Sequence, residues 1–138
     1  MSSVRHQILV DASSRALWRA VTTPEGITAW WADSARVDGR EGGRVVITHQ
    51  HEQGAVELRG MVHKWKPTAS FQILWDGPPN SPLKGSRVEF QIGRGDGESK
   101  VHVVLSGPAT EDPELRAALD IEWRDRMIKL RSLLESAE

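Results

Sequence analysis

The sequence predicts an α+β fold in which a curved antiparallel sheet wraps around one long C-terminal helix. Three observations carry that expectation. From Asp112 onward, Leu115, Leu119, Trp123, Met127, Leu130 and Leu134 recur at helical spacing. Between Val45 and Ser106, five segments alternate apolar and polar residues and are joined by turn-rich connections. Six Trp and two Phe, with no Tyr, supply large apolar side chains to a chain of 138 residues, enough for extensive apolar contacts or a wide pocket.

The helix sets the frame. Asp112 followed by Pro113 is a helix start, with a side-chain acceptor at the cap and proline at the first helical position. No glycine or proline interrupts the run after Pro113. Opposite charges four apart, as in Asp112/Arg116, Asp120/Arg124, Asp125/Lys129 and Arg131/Glu135, lie off the apolar face and add a few tenths of a kcal/mol each. A helix of about 23 residues is roughly 35 Å long at 1.5 Å per residue. Its apolar face needs a long partner, and the strand-rich middle of the chain is the one available.

Taken in order, Val4 to Val10 reads as a first strand. Ser13 is placed to cap a short helix from Ser14 to Val21, and Thr23-Pro24-Glu25 starts a second one running to Trp31. The short join makes the two helices a tight corner. A glycine-rich turn, Asp38 to Gly43, precedes strands at Val45–His51, Ala55–Trp65, Phe71–Trp75, Arg87–Ile92 and Lys100–Ser106. Short connections favour antiparallel neighbours. Asp76 to Gly85 is the one long loop. A twisted antiparallel sheet of this kind curls with one apolar face inward, and with the helix it forms a helix-grip architecture. The chain length fits one domain, residues 1–138.

Composition removes several functions. Eighteen basic against nineteen acidic residues give a net charge of -1, so there is no electrostatic case for nucleic acid or an anionic membrane. The chain has no Cys, which excludes disulfides and thiolate chemistry and suits a reducing compartment. No apolar run approaches a membrane span, and no signal-peptide core appears at the N-terminus, so a cytoplasmic location is expected.

Ile8-Leu9-Val10, the Leu17-Trp18-Arg19-Ala20 helix, Thr23-Pro24-Glu25-Gly26 and Trp30-Trp31 follow one another in a familiar order. Gly42-Gly43-Arg44, Gly60, Pro67, Phe71 to Trp75 with Asp76-Gly77, and Glu122-Trp123 with Met127, Leu130 and Leu134 continue it. This succession resembles the START-like (SRPBCC) superfamily, and within it the family of activator of heat-shock protein 90 ATPase homologues. The resemblance covers nearly the whole chain. It implies the helix-grip fold and small-molecule or lipid-like ligands, with chaperone stimulation in one branch. Two positions depart from the pattern: Glu122 stands where such sequences usually have glycine, and Leu105 where many have a polar residue or histidine.

Individual constellations add little chemistry. His49 and His51 share a strand face, and His63 on the neighbouring strand would be a third metal ligand. No Asp or Glu shares that face, so hydrogen-bonding histidines are the preferred reading and no metal or cofactor is expected. The glycines of 39–43 and 93–97 lack the context of a phosphate or dinucleotide loop and read as hairpin turns, Arg94-Gly95-Asp96 included. No nucleophile elbow or paired catalytic carboxylates stand out. Arg126 falls inside the apolar stripe of the long helix, with Glu122 bordering the same face. A buried charge there needs a partner or a ligand.

Together these readings predict a cavity between helix and sheet that binds a small apolar or amphipathic molecule. Its candidate residues are Trp31, His49, Met61, His63, Trp75, Phe90, Trp123, Arg126 and Met127. Rival readings are a chaperone-stimulating or other protein-binding module, and a cyclase- or hydrolase-type enzyme, for which no acid–base set is evident. Ile121 and Ile128, seven apart with Ala117 beside them, form a second stripe on the outer side of the helix. They predict a homodimer.

Overall fold

The computed structural model describes residues 3–94 and 98–136, the side chain of His51 excepted. The elements run β1 (Val4–Val10), α1 (Ser14–Thr22), α2 (Pro24–Trp30), β2 (Ser34–Val37), β3 (Arg44–His51), β4 (Gly54–Lys66), β5 (Ser70–Gly77), β6 (Arg87–Arg94), β7 (Ser99–Ser106), α3 (Pro108–Glu111) and α4 (Pro113–Ser136). All seven strands join one antiparallel sheet in the order β1-β7-β6-β5-β4-β3-β2. Two short elements, β2 and α3, were not expected from the sequence. Each has four residues, too few to establish a periodicity.

The helix corner is built from its caps. Ser13 accepts from the Ala16 N–H at 3.1 Å and starts α1. Thr23 then serves both helices: its hydroxyl donates to the Arg19 carbonyl at 2.7 Å and accepts from the Gly26 N–H at 3.0 Å. A Cβ at Gly26 would lie 2.4 Å from the Arg19 carbonyl oxygen, so only glycine lets the second helix start this close to the first.

The core is one aromatic chain flanked by aliphatics. Trp18 meets Trp65 at 5.0 Å between ring centroids, Trp65 meets Phe71 at 5.5 Å, and Phe71 stacks on Phe90 at 6.2 Å. Phe90 in turn contacts Trp30, Trp31 and Trp123, and Trp31 contacts Trp75. All six Trp and both Phe belong to this network, which explains their abundance. The Trp30 indole N–H, fully enclosed, donates to the Ala20 carbonyl at 2.8 Å.

Helix α4 begins at Pro113 with Asp112 as its cap, accepting from the Glu114 and Leu115 N–H groups. Leu119, Trp123, Met127 and Leu130 are buried beneath it, and Leu115 and Leu134 are partly buried. Its charges do not pair as the spacing implies. Glu122–Arg126 closes along the helix, whereas Asp120 pairs with His6 at 2.9 Å, Arg116 donates to the Thr110 carbonyl, and Glu135 accepts from the Asp11 N–H. The His6 and Asp11 bonds anchor α4 over β1, one edge of the sheet. At the other end, α4 and the 78–86 loop together face β3 to β5.

Candidate functional site

The lean of α4 toward β1 leaves a cavity of about 320 Å³ between the helix, strands β3–β5 and the 78–86 loop. That is the lower end of the roughly 300–1,000 Å³ typical of small-molecule sites. Each wall comes from a different element. Trp31 follows the end of α2; His49 projects from β3, Val56 and Leu58 from β4, and Trp75 from β5. Ser81, Pro82 and Leu83 close it from the loop, and Leu119, Glu122, Trp123 and Arg126 from α4. The tryptophans are held by one another: Trp31 lies 5.2 Å from Trp123 and 6.4 Å from Trp75.

Gly60 positions the Trp75 wall. A Cβ there would come within 2.8 Å of both Ile73 Cγ2 and the Leu74 carbonyl oxygen, and 3.0 Å from the Trp75 ring. The strand pair β4–β5 shifts register at this point, and again between Val62 and Lys64.

Arg126 supplies the site's cation. Its guanidinium carbon lies 4.9 Å above the Trp123 ring, its side chain is only 16% exposed, and it pairs with Glu122, whose side chain is 47% exposed. Burial lowers the Arg126 pKa, while the charge and hydrogen bond of Glu122 act the other way. An arginine remains protonated under such a shift.

Five of the nine residues expected from the sequence meet at this cavity: Trp31, His49, Trp75, Trp123 and Arg126. Phe90 and Met127 are fully buried in the core beside it. Met61 and His63 depart from expectation. On β3 the inward residues are Val45, Ile47 and His49, and these pair with Gly60, Leu58 and Val56 of β4. As far as Val62, which is buried, the inner phase of β4 therefore belongs to even-numbered residues; the register shift before Lys64 then turns Lys64 outward and Trp65 inward. Met61 and His63 point to the outer face, where His63 Nδ1 meets Gln72 Oε1 at 2.5 Å. That face carries a polar cluster in which Lys64 Nζ and Ser70 donate to Glu89 Oε2 at 2.9 and 3.0 Å. Burial raises the Glu89 pKa, but the bonds from Lys64 and Ser70 outweigh it and hold the carboxyl below its ordinary value.

His49 and His63 thus lie on opposite faces of the sheet and do not share a metal. The His51 side chain lies outside the described residues, as do Gly95, Asp96 and Gly97. Among the described residues no cluster of three metal-ligating side chains occurs, and no helix is long and apolar enough to cross a membrane. Sequence reasoning missed Val56, Leu58, Ser81 to Leu83 and Leu119 as wall residues. Even-numbered Val56, Leu58 and Val62 were a legible inward signal. Nothing local places the loop.

A family model for the activator of Hsp90 ATPase homolog 1-like protein matches residues 11–135. The chain belongs to this family. Similar solved structures include the Aha1 dimer from Colwellia psychrerythraea, at 21% identity and TM-score 0.83, covering 100% of this chain and 99% of that one. A protein of Mesorhizobium loti is similar at 20% identity and TM-score 0.84, covering 99% and 98%. DynU16, a protein of the dynemicin biosynthetic locus, is 19% identical with TM-score 0.80, covering 100% of this chain but 49% of its own. At these identities the likeness shows the helix-grip fold and nothing finer. No curated protein matches the chain.

Proposed function

We propose that this member of the activator of Hsp90 ATPase homolog 1-like family binds a small apolar or amphipathic molecule between α4 and strands β3–β5. The observation that carries the reading is the 320 Å³ cavity itself, walled by three tryptophans and edged by a partly buried arginine. A concave space of that size with a mostly apolar lining is the kind of place in which small molecules bind. The resemblance to DynU16, a protein in the dynemicin biosynthetic locus, is compatible with this reading. Most of the residues lining the space are apolar, which suits binding of an apolar body.

Native mass spectrometry of freshly purified protein tests for a retained molecule. Titration with an apolar dye, followed by tryptophan fluorescence, tests for one saturable site. Leu58→Trp, which fills the cavity from β4, should abolish dye binding while leaving the far-ultraviolet circular dichroism unchanged. Equal binding by that variant, or no saturable binding by the native protein, overturns the proposal.

A specific observation also favours self-association. Ile121 and Ile128 are 53% and 48% exposed on the outer side of α4, with Ala117 exposed nearby. The Colwellia psychrerythraea Aha1 is described as a dimer. We read this stripe as the centre of a symmetric contact between two copies. Ile128→Glu should convert dimer to monomer in sedimentation velocity without loss of fold. A native protein that sediments as a monomer at high concentration removes the idea.

A further inference from the structure

Resting on the cavity as a small-molecule site, we propose that it selects organic acids, whose carboxylate replaces Glu122 on Arg126 while an apolar body lies among the tryptophans. The two charges at the mouth are unequal in kind. Arg126 is fixed: its side chain is 16% exposed and its guanidinium lies over the Trp123 face at 4.9 Å. Glu122 is 47% exposed and sits one turn back on the same helix, at the solvent rim. A half-exposed carboxylate regains water when it swings away, so releasing it costs little. The guanidinium, largely out of water and packed on Trp123, has less solvent to turn to and is costly without a counter-charge.

The chemistry of the exchange follows from that asymmetry. The guanidinium presents five N–H donors in a planar fork suited to a carboxylate. Glu122 engages it through Nη2. A ligand carboxylate arriving from the cavity side would meet the same cation with its apolar body already inside. Of the residues lining the cavity, an ammonium ligand would have only the carboxylate of Glu122 to pair with, and would face Arg126. Other charges near the mouth do not reverse the preference. Lys129 and Asp33 line an adjoining pocket with Trp31 and His49, and Asp33 Oδ2 already accepts the Gln50 N–H at 2.7 Å.

The test uses matched probes that differ only in the head group: naphthoic acid, naphthalenemethanol and naphthylmethylamine, with octanoic acid and octanol as a second set. Isothermal titration calorimetry with the native protein should rank acid over alcohol by on the order of tenfold, as for a charge-assisted hydrogen bond. Arg126→Met should remove that preference, so that acid and alcohol bind the variant alike. Glu122→Gln should strengthen acid binding, because the competing carboxylate is gone, and it checks the proposal independently should Arg126→Met fold poorly. Alcohol and acid binding equally to the native protein, a preference for the amine, or an acid preference surviving Arg126→Met would overturn the selectivity but leave the cavity reading intact. No binding by either set would overturn both.

Discussion

Trp123→Ala is the perturbation that most directly probes how helix and sheet hold together. Trp123 is 3% exposed and touches Trp30, Trp31 and Phe90 at centroid distances of 6.2, 5.2 and 5.9 Å, with Arg126 over its face. A buried Trp→Ala change costs about 3–5 kcal/mol. Three edge-on or tilted ring contacts, each worth about 0.5–1.5 kcal/mol beyond area, place this site toward the upper end, ~4–5 kcal/mol. The cavity on one side limits how far the surroundings can close over the loss. With a urea m-value of about 1.5–2 kcal/mol/M for a chain of this size, the midpoint should fall by roughly 2–3 M. Urea unfolding followed by circular dichroism measures it, with the spectrum in buffer checking that the variant still folds. A midpoint shift below about 0.5 M, corresponding to less than about 1 kcal/mol, would refute the assignment of Trp123 to the seam between α4 and the sheet.

Two further predictions concern the sheet. The Glu89 carboxyl has its pKa held below the ordinary value in the folded state, so its contribution to stability is present above the unfolded value and is lost as pH falls through the folded one. Glu89→Gln should therefore flatten the acid side of the stability curve, beginning at the ordinary glutamate pKa and running below it. Urea midpoints measured as a function of pH check this, and parallel curves for variant and native protein would contradict it. Gly60→Ala places a Cβ 2.8 Å from Ile73 Cγ2 and the Leu74 carbonyl oxygen. It should cost about 1–3 kcal/mol through overpacking and alter the near-ultraviolet dichroism of Trp75, whereas an unchanged spectrum and midpoint would show that β4 absorbs the methyl group.

Elements whose signals are local could be read from the order of residues alone. Asp112-Pro113, Ser13 and Thr23-Pro24 start helices where they stand, because a cap needs only its own side chain and the next turn. Inner faces were equally legible on β5, β6 and β7, where Phe71/Ile73/Trp75, Val88/Phe90/Ile92 and Val101/Val103/Leu105 alternate without ambiguity. Arg126 was legible as a charge inside an apolar stripe, and the exposed Ile121 and Ile128 as a stripe outside it.

Tertiary structure decided the rest. Val56, Leu58 and Val62 point to one inward parity of β4, but its pairing with β3 and two register shifts against β5 decide where that parity holds and where it reverses, past Val62. Whether each tryptophan fills core or lines a cavity depends on where α4 lies. His6 with Asp120 and Asp11 with Glu135 hold it over β1, through residues more than a hundred positions apart. That lean opens the space at β3–β5 and lets the 78–86 loop bring Ser81, Pro82 and Leu83 to its wall. Caps and alternation act over one turn or one strand, whereas a cavity is the gap left between distant elements, and no local pattern encodes its position.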